Sequence, residues 1–163
     1  MNQLPENIIA RARASNALIV LPEGDDIRVI RAAADATTSG IAEIVILGDV
    51  DIIRARATQQ NIELEGVTII NPETSSRINR YAELLIKTRT KSQLSENTAI
   101  QQASQSIVYA NCMVAMGDAH ACIAGAATPT AEVIRHAIRI VGQRPDCNVV
   151  SSFFLMLFGN SAN

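Results

Sequence analysis

An α/β domain, doubly wound around a mostly parallel sheet, is the fold class this sequence predicts, and three observations predict it. Short unbroken apolar runs recur along the chain. Helical apolar stripes lie between them. The 163 residues suffice for one hydrophobic core and are few for two.

The runs ALIVL (17–21), EIVIL (43–47), VTII (67–70), ACIA (121–124) and NVVSSFFLM (148–156) read as strands. They lack the polar alternation of a half-exposed sheet, so both faces should be covered, as in parallel sheets. After the first run a helix is expected to open at Asp26, whose carboxylate can cap it, and to stop at Gly40. Ile78, Tyr81, Ala82 and Leu85 fall at the i, i+3, i+4, i+7 spacing of one helix face. Beyond Ser95, a second N-cap, Ile100, Ala103, Ile107, Ala110 and Val114 carry a single stripe, which predicts one helix of about four turns. The last helix is expected to begin around Thr128, with Pro129 in the first helical position and Gly142 at the end. Residues 1–147 then read as one α/β domain, and 148–163 as an apolar strand and tail. Such a strand needs a cover, so a homo-oligomer, a partner subunit or further chain is expected against it.

Composition excludes several classes of function. Two Tyr, three Phe and no Trp leave no platform for stacking bases, and a net charge of -2 offers no general attraction for phosphate backbones. Nucleic acid is not an expected partner. The longest apolar run, VVSSFFLMLF, is half of the roughly 20 residues a bilayer crossing needs, and the N-terminus lacks the apolar centre of a signal peptide. No membrane partner is expected, and the location expected is cytoplasmic. Cys112, Cys122 and Cys147 form no CxxC pair and read as reduced thiols. His120 and His136 lack metal-ligand spacing, so no metal is expected. Nicotinamide, P-loop and hydrolase signatures are missing.

In open α/β sheets, ligands sit beyond the carboxyl ends of the strands. That rule selects three stretches. In LPEGDDIRVIRAA, Gly24 permits a tight turn, but the acids beside it would repel phosphate, and they read as turn and N-cap residues. In GAATPTAEVIR, residues 125–135, the strand ends at Gly125, and free N–H groups, the hydroxyls of Thr128 and Thr130 and a helix N-terminus converge as an anion would require. Arg135 either pairs with Glu132 in solvent or meets a ligand, and spacing leaves both open. Ile134, Ala137, Ile138 and Val141 are expected to face the core. In KTRTKSQLS, Arg89 can hold a phosphate through paired hydrogen bonds, whereas Lys87 and Lys91 act as point charges.

Together, LPEGDDIRVIRAA, TRTKSQLS, IAGAATPTAEVIR and NVVSSFFLM resemble the N-terminal half of the phosphate acetyltransferase family, which includes phosphate butyryltransferases. The similarity runs from about Asn16 to Met156. It implies a fold similar to isocitrate and isopropylmalate dehydrogenases, with this chain as the first domain and the start of the second, and dimers formed across that second domain. It also implies acyl transfer between acyl phosphate and the thiol of coenzyme A, which enters as a substrate; no cofactor is implied. By resemblance Arg89 and Arg135 would bind these ligands.

The aspartate that takes the thiol proton in the family, and its Ser-Arg pair, belong to a C-terminal half that is not in this sequence. The catalytic residues are therefore unknown, and weak or absent turnover by the chain alone is expected. Asp118 or His120 could substitute as base only if brought near the thiol. Two departures lie beside the expected pocket. His120 and Ala121 stand where the family shows an acidic residue and glycine, and Ser92 and Gln93 replace a lysine-glycine pair. The alternative reading is a non-catalytic module that binds coenzyme A or acyl phosphate and acts through a partner subunit.

Overall fold

The computed structural model describes residues 6–88, 94–147 and 149–151. Its order is α1 (Glu6–Ser15), β1 (Leu18–Leu21), α2 (Ile27–Thr38), β2 (Glu43–Leu47), α3 (Val50–Gln59), β3 (Thr68–Ile70), α4 (Ile78–Thr88), α5 (Glu96–Ala103), α6 (Ser106–Ala115), β4 (Ala121–Cys122) and α7 (Thr130–Ile140). The strands form one sheet in the order β3-β2-β1-β4, and every pair is parallel. Val20 lies level with Val45 on one side and Cys122 on the other.

Alternate strand residues feed two cores, which is why the runs are apolar throughout. Val20, Val45 and Leu47 join Tyr81, Leu85, Val108 and Met113 beneath α4, α5 and α6. Leu21, Ile44 and Ile46 join Ile30 and Ile53 beneath α2 and α3. Helices therefore cover both faces, as predicted. Ile30, Ile46 and Ile53 are fully buried, each contributing roughly 2 kcal/mol through burial.

Asp26 and Ser95 cap their helices as expected, accepting the N–H groups of Arg28 and Thr98. Gly40 and Gly142 take positive φ just past α2 and α7. Two expectations are corrected. The stripe from Ile100 to Val114 spans two helices, because the chain breaks at Ser104 and Gln105. The stripe survives the break because Ala103 and Ala110 are buried in one core and Ile100, Ile107 and Val114 pack against it. The last helix starts at Thr130, with Pro129 in the N-cap position at φ -58 and ψ 138. The extended ψ of Pro129 keeps it out of the helix, and the preceding Thr128 is tied to another part of the chain through its N–H.

The expected strand at 148–156 lies largely outside the described residues, and Val149–Ser151 show no strand. Among the described residues no helix is long and apolar enough to cross a membrane.

Candidate functional site

The carboxyl ends of β1 and β4 bring two distant stretches together. Gly24 donates its N–H to the Leu47 carbonyl at 3.1 Å. A Cβ at that position would lie 2.4 Å from the same oxygen and 2.7 Å from the Ile53 side chain, so the close approach needs glycine. The turn places Glu23 against the loop after β4. Its Oε2 accepts the N–H of Gly125 at 3.0 Å and of Ala126 at 2.9 Å, and its Oε1 accepts those of Ala127 at 2.9 Å and Thr128 at 2.6 Å. Burial raises the Glu23 pKa, but the N–H bonds of Ala127, Thr128 and Ala126, with the Thr128 hydroxyl, outweigh it and bring the carboxyl to about 2.

The next helix turn completes the grip. Arg28 Nη2 donates to the Ala126 carbonyl at 2.7 Å while the same guanidinium holds Asp26 at 2.6 to 3.2 Å. The Arg28 side chain, and then its backbone N–H, hold the Asp26 carboxyl at about 2. The glutamate, glycine, aspartate and arginine of PEGDDIR thus form a clamp on the 125–128 turn. Of the donors expected to converge in GAATPT, the N–H groups of Gly125 to Thr128 do so, and the anion they hold is Glu23.

Gly125 has φ +111 and space where a Cβ would stand. Thr130 is exposed and opens α7. Arg135 is exposed, about 7 Å further along the helix. Pairing of Arg135 with Glu132 is not found: the Glu132 carboxylate lies 3.9 Å from His136 Nε2 instead, since the i, i+4 spacing aligns these two side chains on one face. Arg89 lies outside the described residues.

The expectation that Ile134, Ile138 and Val141 face the core is also corrected. They are 41%, 44% and 45% exposed. With Ala121, Cys122 and Val150 they line an open groove of about 500 Å³ beside β4. Helical spacing identified the apolar face; nothing among the described residues covers it.

Asp118 and His120 stand at the amino end of β4, away from the clamp. Asp118 accepts the Tyr81 hydroxyl at 2.7 Å and Arg80 Nη1 at 3.1 Å. His120 Nδ1 accepts the Leu18 N–H at 2.9 Å, so both serve the fold. Burial pushes the Cys112 thiol up to about 12; burial, with the Glu23 charge, pushes Cys122 up to about 11, which leaves both protonated at neutral pH. Among the described residues no group of three or more His, Cys, Asp or Glu side chains could hold a metal.

The model of the Phosphate acetyl/butaryl transferase family matches residues 3–162. The chain belongs to this family. Among phosphate acetyltransferases it is 38% identical to that of Deinococcus radiodurans over 151 residues, which is 92% of this chain and 21% of that protein. It is 36% identical to that of Corynebacterium glutamicum over 156 residues, covering 95% and 47%. The EutD phosphotransacetylase from Staphylococcus aureus superimposes with a TM-score of 0.85 at 26% identity, covering 95% of this chain and 48% of that one. A phosphotransacetylase from Streptococcus pyogenes gives 0.78 at 28% identity, covering 88% and 44%. The chain thus spans about half, or less, of the length of these family members.

By their place in the sequence, the acids of PEGDDIR read as turn and cap residues. That describes Asp26 and misses Glu23, whose partners are backbone groups 102 to 105 residues away. The signal available was the combination of an acid directly at a strand end with a turn rich in free N–H groups.

Proposed function

We propose that this chain forms the ligand-binding side of a phosphate acyltransferase, in which coenzyme A and an acyl phosphate exchange an acyl group. The match to the family over residues 3–162 carries this reading. Its second support is the placement of Thr130 and Arg135 on a helix whose entrance is held rigidly by Glu23 and Arg28.

In the proposed reaction the coenzyme A thiolate attacks the acyl carbonyl carbon. The carbon–sulfur bond forms, the bond to the phosphate oxygen breaks, and phosphate leaves with that electron pair. Arg135, and Arg89 by resemblance, contribute planar donors for the charged groups of the two ligands. A base must take the thiol proton. Glu23 and Asp26, both at about 2, are poor bases at neutral pH, with their oxygens already accepting hydrogen bonds. We therefore expect binding without efficient turnover by the chain alone. Incubating it with acetyl phosphate and coenzyme A while following thioester absorbance tests this; turnover at the rate of ordinary enzymes would place a working base within these residues.

The open groove beside β4 favours a second reading, a binding module that acts through a partner subunit or a further copy seated there. Sedimentation with and without coenzyme A separates the readings. A stable complex that forms whether or not ligand is present favours the module.

A further inference from the structure

The donor-rich turn at the carboxyl edge of the sheet is occupied by the protein's own carboxylate. Four consecutive N–H groups, from Gly125 to Thr128, converge on the two oxygens of Glu23 at 2.6 to 3.0 Å. That is the complement of donors that a free oxyanion would take from such a turn. Arg28 holds the same turn through the Ala126 carbonyl, so both polarities of its backbone are satisfied from the start of α2.

We propose that Glu23 is the resident anion and positioning residue of the 125–128 turn, reserving its backbone donors so that a ligand's phosphate is read by side chains of α7 instead. The occupancy of the turn rests only on contacts within the chain, while the reading of phosphate by α7 rests on the acyl-transfer proposal, so the first can stand if the second fails. Two consequences follow physically. The turn is formed before any ligand arrives, which spares a ligand the cost of ordering it. A carboxylate in the nest also repels a second anion placed on the same donors.

The test is made on the full chain, with formate as a free carboxylate and inorganic phosphate as the larger oxyanion. In Glu23→Ala the thermal midpoint falls, and formate restores it with saturation while shifting the amide resonances of Gly125–Thr128. In the unaltered protein, formate and phosphate leave those four resonances in place. A formate effect of equal size in both proteins would overturn the proposal, as would phosphate shifting the four amides of the unaltered chain. Should Glu23→Ala not fold, the Glu23 carboxyl carbon of the unaltered protein decides the matter by its own titration. A midpoint near 2 supports the resident anion, and one near the ordinary 4.5 overturns it.

Discussion

The two flanks of the β4–α7 connection are held in opposite ways. On one, the turn after β4 is fastened by Glu23 and Arg28 through short bonds to backbone groups. On the other, Ile134, Ile138 and Val141 of α7 stand half-exposed over a groove with Val149 and Val150. The first flank is completed by the chain's own charges, and the second presents apolar surface that nothing among the described residues covers. A fastened turn keeps the entrance of α7 in place while the helix's apolar face stays available to another surface.

Four changes would break or sharpen this contrast. The largest effect is expected for Gly24→Val, whose side chain would collide with the Leu47 carbonyl and with Ile46 and Ile53. We expect a loss of about 3 kcal/mol or more, read by urea denaturation. Glu23→Gln should cost about 2 kcal/mol, the scale of hydrogen bonds to a charged group with allowance for solvent. Because the Glu23 pKa is depressed, its contribution is complete above the ordinary 4.5 and is lost as pH falls towards 2. Denaturation midpoints of the two proteins should therefore converge through that window.

The open flank should behave differently. Ile138→Ser removes a side chain that is already 44% exposed, and its effect on stability should be about 1 kcal/mol by the same denaturation. The smallest effect concerns His136. Burial, with repulsion from Arg139 and Arg135, lowers its pKa, and Glu132 opposes this. The folded state therefore binds fewer protons than the unfolded one just below the ordinary 6.5, and stability should decline as pH falls through that value. His136→Gln should flatten that slope in thermal melts.

The same contrast explains what was legible in the sequence. β1 and β2 could be read because side chains on both faces of the sheet are buried, which leaves an unbroken apolar run. The break between α5 and α6 could not, since both helices present small residues to one core and the stripe passes over it. Glu23 was hidden for a different reason. Its partners are N–H groups, which every residue but proline possesses, so no side-chain pattern marks them. For α7, the spacing of Ile134, Ile138 and Val141 identified an apolar face; whether it is covered depends on what packs there, which local periodicity does not encode.

The function itself is tested most directly by calorimetric titration of coenzyme A into the chain and into Arg135→Ala. Loss of a charge-assisted pair is worth about tenfold in affinity. We expect measurable binding to the unaltered chain and about tenfold weaker binding to Arg135→Ala, with the fold unchanged. Equal affinity in the two proteins, or no heat from either, would contradict a ligand site on α7.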